Sequence, residues 1–217
     1  MAVGLSGGAD SLALMAALVA EGHEVLALCV DHGLQDGSRA QAERAAEQAR
    51  KLGARARVLS VAAGVSAAPG AESMEVAARV ARYRALAAAC ADEGLEVAVA
   101  HTADDQAETL LLGALRGRVT GMSERSEVEG ARVVRPLLNV RRADTEGACA
   151  ELGLSAWQDP QNADTNFRRV ALRREVIPQL SRIIGGDAVP ALAQAASDAA
   201  LDDAALRTPP TTDCAEL

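Results

Sequence analysis

Aromatic side chains are almost missing from this chain: Tyr83, Trp157 and Phe167 are the only three in 217 residues. The core must therefore be built from Ala, Val and Leu. Lysine is scarcer still, with Lys51 alone, so the basic residues are nearly all arginine, a compositional drift that carries no function. Positive charge is short overall. The formal net charge of −8 argues against a dedicated nucleic-acid binder, DNA included, while an enzyme with a local basic patch remains open. No apolar run reaches transmembrane length without charges and no secretory signal is visible, so no membrane partner is expected. Cys29, Cys90, Cys149 and Cys214 never stand as Cys-x-x-Cys, which suggests no zinc or iron–sulfur site. A reducing cytoplasm fits that usage. Cys29 and Cys90 lie in apolar runs and read as buried, inert thiols. The length suits one domain and a fragment of a second, and no internal repeat is evident.

What is present begins at once. Val3-Gly4-Leu5 is a short apolar run, Ser6-Gly7-Gly8-Ala9-Asp10-Ser11 follows, and Leu12 to Leu18 has a helical pattern. That is a strand, a tight turn and a helix start. Gly7 and Gly8 let the backbone bend and approach a ligand closely. Successive N–H groups and the helix N-terminus then form an anion site, to which Ser6 and Ser11 add hydroxyl donors. Asp10 cannot bind phosphate directly, so a divalent cation between the two is implied. A bare Gly-Gly before a helix is often only a turn. Ser-Gly-Gly-x-Asp-Ser opening an α/β chain points instead to nucleotide binding. No Lys-Ser or Lys-Thr follows the glycines, so this is not the Walker loop, and Gly-x-Gly-x-x-Gly is absent too. The stretch is similar to the pyrophosphate loop of the ATP pyrophosphatases, which cleave ATP between the α and β phosphates and adenylate a substrate oxygen.

Val25 to Val30 is a continuous apolar strand, as in a sheet covered on both faces. Asp31-His32-Gly33-Leu34 ends it, where α/β proteins bind ligands, although a capping turn explains the same residues. Ser38 is expected to cap a helix through about Leu52, closed by Gly53. Arg55 to Val61 reads as a strand, Ala63 to Gly70 as a loop, and Ser73 to about Glu93 as a helix bearing Arg79, Arg82, Tyr83 and Arg84. Leu95 to Ala100 is another strand. The cluster His101-Thr102-Ala103-Asp104-Asp105-Gln106-Ala107-Glu108-Thr109 follows it and runs into a helix, with Asp104 or Asp105 as cap. Asp105 and Glu108 are three apart and share a face. Acidic residues in a first turn also suit the helix dipole, so a structural reading stands beside a functional one in which paired carboxylates hold an ammonium group or a cation. Arg116 to Gly130 reads as an exposed loop, Val133 to Leu138 as resumed order, and Arg141 to Leu152 as a helix. After the turn-rich Trp157 to Asp164, Arg168, Arg169, Arg173 and Arg174 lie on an amphipathic helix expected to end near Pro178. They are either a solvated face or a contact with phosphates. Gly185-Gly186 is a candidate linker, Asp187 to Leu206 an alanine-rich helix with little to bury against, and Pro209-Pro210 to Leu217 a tail.

Taken together, Ser6 to Ser11, Val30 to Leu34, Ala81-Arg82-Tyr83, His101 to Thr109, Arg116-Gly117, Arg135 to Leu138 and Asp159-Pro160 with Asn162 resemble the tRNA(Ile)-lysidine synthetase family, over roughly residues 3–180. The resemblance implies an α/β fold, a parallel sheet flanked by helices in the three-layer, Rossmann-like architecture of the adenine nucleotide alpha hydrolases. It implies a catalytic domain over 1–184, with 185–217 as a helical extension and tail that is the remnant or start of a second domain. It implies a cytoplasmic ligase that uses ATP and Mg²⁺ to adenylate the C2 oxygen of the cytidine at the first anticodon position of a CAU-anticodon isoleucine tRNA. The ε-amine of free lysine then attacks C2, forming lysidine. By the same resemblance Ser6, Gly7, Gly8, Ala9 and Ser11 cradle pyrophosphate and Asp10 holds Mg²⁺. Asp31, His32 and His101 border the nucleotide. Asp105 and Glu108 bind and orient lysine, and Arg82 stabilises the adenylated intermediate or the leaving AMP. The oligomeric state stays open, a homodimer included.

The chain departs from the family in two places. Arg169-Val170-Ala171-Leu172-Arg173 stands where Arg-Asn-x-Ile-Arg is usual, and Arg118 to Met122 lacks the usual glycine-rich continuation. Both touch regions expected near RNA. With the acidic charge and the alanine-rich helix running into Pro-Pro, they suggest a catalytic domain with a weakened RNA grip; a naturally compact synthetase is the alternative. The rivals in function are a tRNA 2-thiolation enzyme, a free-standing amide-forming ligase and a non-enzymatic nucleotide-sensing module.

Overall fold

The computed structural model describes residues 1–33, 37–61 and 71–207, which form two compact units. Leu34, the stretch from Ala63 to Gly70, Cys214 and the Pro209-Pro210 tail lie outside the described residues. The first unit comprises Met1–Ala103 and Glu124–Asp164; the second comprises Asp104–Ser123 and Thr165–Leu217, described to residue 207. The sequence alone suggested a single boundary at residue 185.

In the first unit β1 (Ala2–Gly4), β2 (Leu26–Asp31), β3 (Arg55–Ser60), β4 (Val97–Ala98), β5 (Arg125–Val128) and β6 (Ala131–Val134) form one sheet in the order β3-β2-β1-β4-β6-β5. All neighbours are parallel except β5 with β6. The chain lays down β1, β2 and β3 in one direction and then returns to place β4 on the other side of β1. That reversal makes the carboxyl ends of β1 and β4 the place where such sheets bind ligands. The strand expected from Leu95 to Ala100 shrinks to β4, because its partner β1 is itself three residues long and pairs only Ala2 with Val97 and Val3 with Ala98.

Helices cover both faces, as the apolar strands require. On one face α1 (Ala9–Ala20), α2 (Ser38–Lys51) and α5 (Arg142–Glu151) bury Leu12, Leu14, Met15, Ala42, Ala45, Ala46, Ala49 and Cys149 against Val3, Ala27 and Cys29. On the other, α3 (Ala71–Ala91) buries Tyr83, Leu86 and Cys90 against Leu26, Leu28, Val97 and Val133. The three layers are therefore present, with an aliphatic core that holds Tyr83 as its one aromatic ring at 1% exposure. Three of the cysteines, Cys29, Cys90 and Cys149, are buried free thiols. Burial pushes the Cys29 thiol up to about 12 and raises Cys90 and Cys149 as well, so all three are inert at neutral pH.

Three local expectations change. Gly37 occupies the cap of α2, and Ser38 gives its hydroxyl to the Asp31 carboxylate instead. α4 (Ala103–Ala114) starts one residue before Asp104, so Asp104 and Asp105 sit inside its first turn rather than capping it. The segment read as loop up to Gly130 contains β5, joined to β6 by Glu129-Gly130 with φ of 49° and 80°. Two left-handed residues are the tight turn a two-residue hairpin needs.

The second unit contains the body of α4 and the helices α6 (Arg168–Ala171), α7 (Ile177–Ile184) and α8 (Val189–Arg207). The helical run that opens with α6 does not end near Pro178, as the sequence suggested. A π turn over Leu172–Val176 leads into α7, which receives Pro178 in its first turn, where a missing N–H costs little. Gly185-Gly186 is a tight helix-to-helix corner rather than a linker: Gly185 ends α7, and Ala188 N–H donates to Ser181 Oγ at 3.0 Å. α8 buries Val189, Ala193, Ala196 and Ala200, so its small residues do find a surface. That surface is close backbone packing at Gly121, where an added Cβ would overlap the Ala196 carbonyl. Among the described residues no helix is long and apolar enough to cross a membrane.

Candidate active site

The loop from Ser6 to Ser11 sits at the carboxyl end of β1, at the reversal of the sheet. Gly7 has φ of 86°, and a Cβ there would stand 2.7 Å from the Gln41 amide and 3.3 Å from Ala45 of α2. Only glycine combines that backbone with that approach. Ser11 Oγ donates to Gly8 O at 2.9 Å, and a hydroxyl has one hydrogen. In the 3.1 Å pair of hydroxyls Ser6 is therefore the donor and Ser11 the acceptor, and Ser11 Oγ also accepts the Ser6 N–H at 3.2 Å. The Gly8 N–H donates to Ser6 Oγ at 3.3 Å. These bonds knit the loop into one shape, so the serines act first as its scaffold. Gly8 is the cap residue of α1 in extended conformation, and no side chain caps the helix. The first-turn N–H groups and the positive end of the helix dipole are what such a loop offers an anion.

Trp157 closes on the same loop, its N–H donating to Gly7 O at 2.8 Å. Ser155 and the Gln48 amide pair reciprocally at 3.0 and 3.1 Å, which pins that segment to α2. The sequence showed Trp157 only as part of a turn-rich segment; its backbone role carries no sequence signal.

Asp10, in the first turn of α1, has both carboxylate oxygens engaged. Arg142 Nε donates to Oδ2 at 3.1 Å and Thr145 Oγ1 to Oδ1. Sequence reasoning saw only a helix at Arg142 and Thr145. Magnesium commonly takes one or two carboxylates and completes its shell with water and substrate phosphates. A single carboxylate beside an anion-binding loop fits that mode. Among the described residues no group of three His, Cys, Asp or Glu side chains forms a cage for a metal.

At the carboxyl end of β2, Asp31 is buried and accepts from Ser38 Oγ at 2.5 Å and from the Gly33 N–H at 3.0 Å. The Ser38 hydroxyl, foremost, holds its carboxyl below the usual range. Next to it His32 is half-buried. Burial, and then the positive charge of Arg82, lower its pKa from 6.5 against the opposing pull of Asp31. The ring is therefore neutral at pH 7. Arg82 and Arg79 lie over the Tyr83 ring at 5.4 and 5.0 Å from its centroid. His101, just past β4, is half-buried in the same unit.

In the second unit Asp105 is half-buried, whereas Glu108, one turn on, has no exposed surface. Glu108 Oε1 accepts from Arg173 Nε at 2.7 Å and Oε2 from Arg169 Nη1 at 3.2 Å. Arg169 also donates to Thr109 Oγ1 at 3.2 Å. The family resemblance gave Glu108 to lysine, and the sequence left the arginines as either a solvated face or a contact with phosphates; here they hold each other. Each oxygen of this fully buried carboxylate accepts from a guanidinium. The i, i+4 spacing of Arg169 and Arg173 shows that they share a face, but nothing in the sequence names the carboxylate they meet. Gln106 is also wholly buried and pairs through its amide with both backbone groups of Met122, at 2.9 and 2.8 Å, which fixes the segment after α4.

The family model of the PP-loop domain matches residues 1–180. The tRNA(Ile)-lysidine synthase of Corynebacterium glutamicum is 54% identical over 200 residues, covering 92% of this chain and 61% of that protein. The synthase of the same name from Corynebacterium diphtheriae is 57% identical over 204 residues, covering 94% and 65%. The chain thus spans less than two thirds of the length of these relatives. Among solved structures, the U34-tRNA thiolase NcsA from Methanococcus maripaludis with its [4Fe-4S] cluster superposes with a TM-score of 0.73 at 17% identity, over 100% of this chain and 76% of that one. NMN synthetase from Francisella tularensis gives 0.54 at 17% identity, over 71% and 61%. At such identities the likeness is one of fold.

Proposed function

The chain belongs to the PP-loop family, and from that premise we propose that it carries the catalytic centre of a cytoplasmic tRNA(Ile)-lysidine synthetase. The observation that carries the reading is the uncapped N-terminus of α1 behind a rigid Ser-Gly-Gly turn, at the point where the sheet reverses. The substrate is taken from the relatives named above.

In the proposed reaction the C2 oxygen of the anticodon cytidine attacks the α-phosphorus of ATP, and the bond to the β-phosphate breaks. The N–H groups of the Gly8–Ser11 turn receive the pyrophosphate and meet its growing charge. Asp10 would hold Mg²⁺ together with the nucleotide, and the ion would supply further neutralisation of the phosphates. Asp31 and neutral His32 border the adenosine, His101 flanks the same site, and Arg82 meets the charge of AMP as it leaves. The lysine ε-amine forms the C2–N bond as the C2–O bond breaks, AMP departs with that oxygen, and the amine sheds a proton. We assign the ammonium end of lysine to Asp105. We assign Glu108 to holding Arg169 and Arg173.

Among the described residues the thiols of Cys29, Cys90 and Cys149 are buried with raised pKa values, which disfavours a 2-thiolation reaction through any of these three. The test is AMP and pyrophosphate formation from ATP with an unmodified CAU-anticodon isoleucine tRNA transcript. Both should appear with that transcript and fall to background when the first anticodon base is uridine. Equal cleavage with either transcript, or sulfur incorporation, would overturn the reading.

A further inference from the structure

We propose that Arg142 is itself a phosphate-binding residue of the loop site, resting on Asp10 until nucleotide arrives. This builds on the reading of Ser6–Ser11 as a pyrophosphate loop. Asp10 lies in the first turn of α1 and Arg142 is the first residue of α5, so the N-termini of two packed helices meet at this pair. Neither side chain is out in solvent: Arg142 is 17% exposed and Asp10 22%. An incoming pyrophosphate would bring several negative charges beside the Asp10 carboxylate, a repulsion that partial burial strengthens. The positive charge that offsets it is already there, on Arg142.

The two oxygens of Asp10 have different partners. Thr145 holds Oδ1, and Thr145 Oγ1 also contacts its own helix at Arg142 O, 2.8 Å away. Arg142 holds Oδ2. Exchange at Oδ2 alone lets a cation replace the arginine while Thr145 keeps the carboxylate aimed. The guanidinium, a planar fork of five donors, is suited to the edge of a phosphate. At the start of α5 the Asp144 carboxylate accepts the Arg141 N–H at 3.2 Å, so a negative charge already sits at that helix end. The arginine side chain, not the helix end, is therefore the feature α5 brings to the loop.

The experiment is calorimetric titration of the full chain with inorganic pyrophosphate, with and without Mg²⁺. Arg142→Gln should weaken binding roughly tenfold in both conditions, the size of one charge-assisted contact. A folded Arg142→Gln protein that binds pyrophosphate as tightly as the parent overturns the proposal. Asp10→Asn gives a second reading that does not depend on the first variant. It removes the Asp10 carboxylate charge from Arg142, so Mg²⁺-free binding should tighten and the gain from Mg²⁺ should vanish. Adding Arg142→Gln to Asp10→Asn should abolish that tightening; equal affinity of the single and double variants overturns the proposal. A parent chain that binds pyrophosphate yet transfers no lysine would sink the substrate reading and leave Arg142 in its role, whereas a parent that binds no pyrophosphate would sink Arg142's.

Discussion

His32 and Glu108 show how one residue's surroundings decide what it can do. The folded pKa of His32 lies below 6.5, from burial first and Arg82 second. The folded chain therefore holds fewer protons there than the unfolded chain. The stability this contributes is complete above the unfolded value and is lost as pH falls through the folded one. A proton NMR titration of the His32 ring should give a midpoint below 6.5, and Arg82→Gln should move it upward while burial keeps it from recovering fully. A midpoint indifferent to Arg82 would show that the arginine charge does not reach the ring. Glu108 is the opposite case, a charge kept in the interior because two guanidiniums meet it. Neutralising it removes the negative charge that both guanidiniums meet, so Glu108→Gln should cost about 2 kcal/mol in urea unfolding, with Glu108→Asp recovering part. A change of a few tenths would mean that the carboxylate is not holding the arginines.

Among the elements, those whose cause is local were legible. The helix read from Leu12 to Leu18 and found over Ala9–Ala20, the apolar strand ending at Asp31 and the arrest of α2 at Gly53 follow from periodicity, continuous apolar character and a glycine stop. Those whose cause is a distant partner were not. β4 is short because β1 is short. β5 exists because Glu129-Gly130 turns it back along β6, and a glutamate gives no warning of a left-handed residue. The loop motif could be read residue by residue, but Arg142 and Thr145 lie 132 and 135 positions from Asp10, and no spacing rule joins them. α8 looked to have little to bury against, since its partner is backbone, at Gly121. Gly121→Ala should therefore destabilise the chain by about 1–3 kcal/mol, as overpacking does, with α8 losing hydrogen-exchange protection first. Parent-like protection in α8 would contradict the close packing.

For the whole molecule, a net charge of −8 and a small arginine cluster set the terms for RNA. Two of those arginines are engaged with Glu108, so few are placed to release counterions from tRNA. Binding measured over a range of salt should show a shallow dependence, a log–log slope of about −1 to −3; a slope steeper than about −5 would point to a broad phosphate-binding face instead. The most direct test of the central claim is incorporation of isotope-labelled lysine into unmodified CAU-anticodon isoleucine tRNA. The tRNA would be at high concentration and low salt, and the digested nucleosides would be identified by mass. The account predicts ATP-dependent appearance of label in one modified cytidine at the first anticodon position, lost in Asp10→Asn. Label in no nucleoside while ATP is still cleaved, or label elsewhere in the tRNA, would contradict it.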